Sequence, residues 1–378
     1  MVKSVKITPT KWVHGGVCLG YHEGKPVFIV GGLPGIESEC IIEKETSKII
    51  HAYVEISSDC EVFPKCGGCN YRHISYEQEH LLKKAELSDL LKIESDTIEV
   101  LSNKMFGYRN NVQFKSSPKA GIGFYQRHSN SIVDIQHLGC KNLDDKLNGM
   151  LSTISSLKKP SNNSHEDLNL KFRLNQNFHG SSEDVIDYKL EISNFSIDDY
   201  SFQVPINGFF QTNQFLIKPW LEIIKEKLES KPMPVLELFC GVGSIGQYAS
   251  SYITKLLGIE SSKDSIQFAK TNAEFNKVKN FHYKTMDLYK NFPVIKEGEY
   301  PTWIVNPPRA GLQDKVIHAL VNLRPQTVIY SSCDPHTLAR DWKTIQSLNS
   351  FYKISKLYLV DFFPRTKHFE TIMILNSK

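Results

Sequence analysis

Val235-Leu236-Glu237-Leu238-Phe239-Cys240-Gly241-Val242-Gly243-Ser244-Ile245-Gly246 is a short apolar run that ends in a glycine-rich turn. A run of this length reads as a buried strand, and the glycines after it let the backbone turn sharply and approach a ligand closely. The same texture repeats downstream. Leu256-Leu257-Gly258-Ile259, Trp303-Ile304-Val305 and Val328-Ile329-Tyr330 are strand-like runs separated by helix-length amphipathic stretches. Such alternation predicts an α/β fold with a doubly wound, mostly parallel sheet. Ligands of these sheets bind outside the carboxyl ends of the strands, so the residues that carry chemistry should follow each run directly.

They do. Glu260 closes the second run, where a carboxylate can accept both hydroxyls of a ribose. Gly241 and Gly243 alone would also fit a dinucleotide site. Glu237 inside the first strand and Asn306-Pro307-Pro308-Arg309 after the Trp303 run favour S-adenosylmethionine instead. After the Val328 run comes Tyr330-Ser331-Ser332-Cys333-Asp334-Pro335, which sets a cysteine at the same crevice as the cofactor. Carbon 5 of uracil is a poor nucleophile. A thiolate that adds to carbon 6 turns the ring into an enolate, and carbon 5 can then attack a methyl sulfonium. A base must afterwards remove the carbon 5 proton. Glu370, in Asp361-Phe362-Phe363-Pro364-Arg365-Thr366-Lys367-His368-Phe369-Glu370, is the candidate.

Upstream the texture differs. Residues 1–56 read as all-β, with Val27–Val30 and Ile49–Val54 broken by Gly15-Gly16 and Gly31-Gly32-Leu33-Pro34-Gly35. A small β-barrel of this kind suits oligonucleotide binding. Next come Cys60, Cys66 and Cys69 within ten residues, then an amphipathic helix over Glu77–Leu91. Cys140 can complete four ligands. Four thiolates suit zinc or an iron–sulfur cluster, and the single C-x2-C pair favours [4Fe-4S]. Cys18 and Cys40 read as β-core residues. Residues 106–202 read as strands interrupted by a polar loop at 158–164. From Val100 to Val133 there is no acidic residue, while Lys104, Arg109, Lys115, Lys119 and Arg127 alternate with Phe106, Tyr108, Phe114, Phe124 and Tyr125. In a strand, Tyr108, Val112 and Phe114 share one face and Arg109, Gln113 and Lys115 the other. Such a surface could neutralise phosphates and stack bases. The expected domains are therefore 1–56, 57–204 and 205–378.

With 378 residues, 40% of them hydrophobic and 23% charged, the composition is that of an ordinary globular protein. No run is long enough to span a membrane, and Met1-Val2-Lys3-Ser4 does not open a signal peptide. A cytoplasmic chain with reduced, metal-bound or catalytic cysteines is expected. The net charge of +4 permits a nucleic-acid partner without requiring one.

Taken together the motifs resemble the RNA uracil-5-methyltransferases, in particular the iron–sulfur branch with a TRAM domain that modifies 23S rRNA. The resemblance covers nearly the whole chain and is weakest over 155–200. Residues 1–56 are similar to a TRAM domain, with Ile36 where an acid is common. Cys60, Cys66, Cys69 and Cys140 match the cluster ligands. Phe210-Gln211-Thr212-Asn213 looks like the FFQxN element, which implies that Gln211 touches the cofactor. Phe239, Ser244, Glu260, Asp287 and Asn306 fall at the other positions that bind S-adenosylmethionine. Ser332-Cys333-Asp334-Pro335 through Asp341 matches the nucleophile motif, with Asp334 where Asn is common, and Asp361 through Glu370 matches the motif of the general base. The resemblance implies a class I methyltransferase fold with a seven-stranded sheet, preceded by the β-barrel and a central α+β domain. It implies an RNA substrate, 23S rRNA ahead of tRNA, and a monomer with no membrane or protein partner. An amino-group methyltransferase would carry an aromatic where Arg309 stands. A cytosine-5-methyltransferase would not need the Glu370 motif. Intact Cys333 and Glu370 speak against a catalytically dead RNA-binding protein.

Overall fold

A computed structural model describes residues 3–377 apart from 118, 158–167, 178–191, 206, 230–231 and 349–350. The polar loop expected at 158–164 lies outside the described residues. The chain forms two compact units, and neither is continuous in sequence. The first takes residues 1–86, 104–172 and 363–368, the second 87–103, 173–362 and 369–378. This division cuts across the expected segment 57–204, because stretches of that segment complete the sheets of the second unit.

In the second unit, eight strands form one sheet. Their spatial order is Phe281–Thr285, Ile253–Glu260, Met233–Leu238, Thr302–Val305, Thr327–Ser332, Glu370–Ser377, Tyr352–Val360 and Ile98–Leu101. All run parallel except Glu370–Ser377, which is antiparallel to both neighbours. The expected seven strands are thus present, with an eighth added at the edge. Ile98–Leu101 pairs with Leu357–Val360, and Leu101 accepts a hydrogen bond from the Asp361 amide at 2.8 Å. Its four residues follow a helix and carry no turn signal of their own, so the sequence gives no reason to place them in this sheet. The core joins Leu236, Leu238, Trp303, Val305, Val328 and Tyr330 with Leu357, Leu359 and Met373, all nearly inaccessible. Burying each such side chain contributes about 1.5–3 kcal/mol.

Strand order reverses between Met233–Leu238 and Thr302–Val305, and a cleft opens at this switch point, as the topology dictates. The first strand turns out of the sheet at Phe239, whose φ of 60° is left-handed, into the helix Ser244–Tyr248. Gly246 of that helix packs directly on the sheet. A β-carbon there would stand 2.3 Å from Leu256 Cδ1 and 2.5 Å from Glu237 Oε2. Gly246→Ala is therefore expected to lower stability by about 1–3 kcal/mol. Urea titration should show a reduced midpoint at unchanged slope; an unchanged midpoint would mean that the helix can back away at no cost.

In the first unit, six strands between Ser4 and Val54 form one sheet around Ile7, Cys18, Val27, Ile29, Cys40, Ile50 and Ala52. Cys18 and Cys40 are core residues, as expected. Strands Asn111–Ser117, Gly121–Tyr125, Ile132–Asp134 and Leu168–Arg173 form a second sheet. Between the last two runs the helix Asp145–Leu157, where only strands were expected. Its Leu147, Leu151 and Ile154 are buried at helical spacing, a signal masked by Gly149 and the serines around it. The helix Tyr76–Leu91 does form, but it is not amphipathic in the usual sense. Its first-unit portion buries Glu79, Lys83 and Glu86 while Leu81 is exposed. Lys83 Nζ donates to Glu79 Oε1 at 2.7 Å, and Arg365 closes on Glu79 through its backbone N–H (2.8 Å) and guanidinium (3.0 Å). Charges this deep are tolerated only when paired.

Candidate active site

The cleft of the second unit has a volume of about 600 Å³. Gln211, Phe239, Gly241, Ser244, Glu260, Asp287 and Asn306 all line it. Gly243 does not. It sits behind the turn at φ 76°, where a β-carbon would meet Tyr283 and Gln247 at 2.8 Å, so its part is to close the turn. Glu260 is fixed by donors on both oxygens. Oε1 accepts from the Ser261 amide and hydroxyl and the Ser262 amide at 2.7–2.9 Å, and Oε2 from the Gly241 amide at 3.3 Å. A carboxylate held in this way keeps its direction. Asp287 accepts the Tyr289 amide at 3.0 Å, and that bond holds its carboxyl below the usual range. Glu237 is fully buried and pushed up to about 8 by burial; the Gly246 amide opposes this, though neither oxygen has a partner of ordinary hydrogen-bond geometry. Asn213 of the FFQxN element is not at the cleft. It is buried and binds the chain, donating to Phe362 O at 3.1 Å.

Cys333 and Glu370 line the same cleft. Strand pairing explains how residues 37 positions apart in sequence meet. Thr327–Ser332 and Glu370–Ser377 are antiparallel, with Ser332 opposite Thr371. One step further along that register sets Cys333 opposite Glu370, and opposite residues share a face. Burial, then the facing Glu370, pushes the Cys333 thiol up to about 11, while Arg309 pulls it down. Burial also pushes Glu370 up to about 7, opposed by a hydrogen bond from Ser331. The arrangement offers a soft nucleophile and a carboxyl poised near neutrality in a nucleoside-sized cleft. Phe209, Trp220, Tyr289 and Arg309 also line it and were not assigned from sequence.

In the first unit, Cys60, Cys66, Cys69 and Cys140 line one cavity together with Val62, Phe63, Phe124 and Ile135. Among the described residues no three of these sulfurs lie within 4.8 Å of one another. Tetrahedral zinc would hold its sulfurs about 3.8 Å apart. The wider set leaves room for a larger centre. Gly67 allows the loop to pair with residues 125–127, its amide donating to Tyr125 O at 3.0 Å where a β-carbon would crowd that oxygen. Arg72 Nε and Asn142 Nδ2 point at Cys69 Sγ from 3.3 and 3.4 Å.

The basic stretch 100–133 is corrected by the structure. Tyr108, Val112 and Phe114 do share a buried face, but that burial removes Tyr108 and Phe114 as base-stacking residues. Arg127 turns inward to the Cys66 and Cys69 carbonyls, and Arg109 lines the cysteine cavity. Both serve the cysteine loop. Lys115 sits 5.0 Å over the exposed ring of Tyr125.

A parallel sheet with an antiparallel seventh strand, a glycine turn, a carboxylate lining the cleft after the second strand and a cleft at the switch point define a class I S-adenosylmethionine-dependent methyltransferase. The model of the tRNA (uracil-5-)-methyltransferase family matches residues 66–378, and the chain belongs to that family. It is an S-adenosylmethionine-dependent RNA uracil-5-methyltransferase. An uncharacterized RNA methyltransferase of Leptospira interrogans (serovar copenhageni) is 35% identical, over 99% of this chain and 95% of the relative. The 23S rRNA (uracil(1939)-C(5))-methyltransferase RlmD of Mannheimia succiniciproducens is 28% identical, over 94% of this chain and 92% of its own. The tRNA (uracil-54, C5)-methyltransferase of Pyrococcus abyssi, solved with S-adenosyl-L-homocysteine, superposes with a TM-score of 0.77 at 25% identity, covering 98% of this chain and 99% of that one.

Proposed function

We propose that the enzyme methylates carbon 5 of one uridine in 23S rRNA. The observation that carries this reading is the convergence of Cys333 and Glu370 in the cleft. S-adenosylmethionine supplies the electrophilic methyl group, held by Gln211, Phe239, Gly241, Ser244, Glu260, Asp287 and Asn306. Cys333, once deprotonated, adds to carbon 6 of the uracil and makes carbon 5 nucleophilic. After carbon 5 is methylated, the Glu370 carboxylate takes the carbon 5 proton. The carbon 6–sulfur bond then breaks and the thiolate leaves. The uridine must be splayed from its stack to enter, which favours a loop as target. Cys60, Cys66, Cys69 and Cys140 would hold a [4Fe-4S] cluster, and their wide spacing supports it. Methyl transfer from a sulfonium is redox-neutral, so the cluster organises the loop or the RNA. Residues 1–56 serve as a TRAM-like RNA-binding barrel. A cytoplasmic location fits a ribosomal substrate, and no helix among the described residues is long and apolar enough to cross a membrane.

The likeness to RlmD supports ribosomal RNA, while the full-length likeness to the Pyrococcus abyssi enzyme keeps tRNA as the second reading. Purified enzyme with labelled S-adenosylmethionine should methylate 23S rRNA transcripts and give 5-methyluridine at a single position. Methylation of the tRNA T-loop alone would transfer the assignment to tRNA.

A further inference from the structure

We propose that Ser331, itself held by Trp220, is a positioning residue that orients the Glu370 carboxyl and commits its two oxygens to different tasks. The inference rests on the reading of Glu370 as the base that removes the carbon 5 proton. Ser331 lies in the strand Thr327–Ser332, two residues before Cys333, and the antiparallel register carried one step past the strand end brings Glu370 to the same face diagonally. The Ser331 hydroxyl is 2.6 Å from Glu370 Oε1. Trp220, from the helix Ile217–Glu226, donates its indole Nε1–H to Ser331 Oγ at 3.1 Å. An indole nitrogen can only donate. It occupies an oxygen lone pair of Ser331 and leaves the hydroxyl proton for Glu370. All three side chains are at most 2% exposed, so no water competes for these bonds. Oε1 is thereby anchored, and Oε2 is left to receive the proton from carbon 5.

The arrangement also sets the pH at which the base works. Burial raises the Glu370 carboxyl to about 7 and the Ser331 bond opposes that rise. The titratable groups on the neighbouring elements are Cys333, which faces Glu370, and Arg309 and Asp334, which act on Cys333. Only ionised Glu370 accepts a proton, so turnover rises with pH through its pKa. Removing the Ser331 donor destabilises the ionised form and moves that limb upward.

The test is the pH profile of methyl transfer for Ser331→Ala, with the covalent protein–RNA adduct measured on denaturing gels. The acid limb should rise by about one pH unit, with turnover at pH 7 down about fivefold. Adduct should accumulate below the shifted limb, while S-adenosylmethionine affinity stays unchanged. Ser331→Thr should restore the wild-type limb. Trp220→Phe keeps an aromatic ring but loses the N–H; it should move the limb the same way by less, and it carries the test if Ser331→Ala does not fold. A profile superimposable on wild type, or a uniform fall at every pH without extra adduct, overturns the positioning role. If wild-type enzyme forms no adduct with 5-fluorouridine RNA, the assignment of Glu370 and Cys333 fails instead, which separates the two readings.

Discussion

Glu370→Gln is expected to leave enzyme and RNA covalently joined, whereas Cys333→Ala forms no adduct at all. The difference follows from the order of events. Carbon 5 cannot attack the sulfonium methyl and displace S-adenosylhomocysteine until sulfur has added to carbon 6, so Cys333→Ala stops before any bond forms. It should still bind S-adenosylmethionine, because the cofactor residues lie along the rest of the cleft. The Glu370 carboxyl acts only after methyl transfer. The amide of Gln keeps the shape and loses the proton acceptor, so the methylated ring stays on sulfur. Turnover should fall by about 10²–10⁴-fold in Glu370→Gln and to background in Cys333→Ala. Denaturing gels of each variant with substrate RNA check this, with 5-fluorouridine RNA as the wild-type trap, since fluorine does not leave as a proton. Absence of adduct from both the Glu370 variant and the fluorinated RNA, with wild type active on ordinary RNA, would falsify the covalent route.

Cys69→Ala is expected to cost the protein its iron and much of the first unit's stability. Cys69 is buried where the other three cysteines of its cavity are half-buried, and Arg72 and Asn142 both point at its sulfur. Arg72 is also bound by both oxygens of Asp59, so its charge stays buried when the thiolate is gone. Asp59 still pairs that charge, so what is lost is one hydrogen bond to a charged group, about 1.5–3 kcal/mol. Anaerobically purified wild type should be brown and bind four irons (the count of a [4Fe-4S] centre), while Cys69→Ala should be colourless and melt earlier. Stoichiometric zinc without iron, in protein made with ample iron, sinks the cluster assignment.

The doubly wound sheet was legible because each buried strand is a continuous apolar run and a polar residue at its end lines the cleft. Glu260, Asn306 and Cys333 all follow this rule. The edge strand Ile98–Leu101 was not, since pairing at a sheet edge depends on where the neighbour lies and not on the run itself. Basic residues misled for a related reason. Arg109 and Arg127 have the spacing of an exposed stripe, yet Arg127 binds buried carbonyls and Arg109 lines the cysteine cavity, and a one-dimensional pattern cannot show that competition. Gly243 looked like part of the cofactor cradle but closes the turn behind it. Ser331 could have been found, because its two-residue spacing from Cys333 is the period of one strand face. Trp220 could not, as nothing in its helix announces which strand it meets.

The loop 363–368 belongs to the first unit although nearly all the rest of that unit precedes residue 173. During synthesis, Glu79 and Lys83 leave the ribosome almost three hundred residues before Arg365, which is 286 positions beyond Glu79. The nascent first unit must wait until all but the last strand of the methyltransferase sheet has been made before its buried charge cluster can be completed. A chain that stops short of this loop leaves both units unfinished, the first without its last cation and the second without the strand that begins at Glu370.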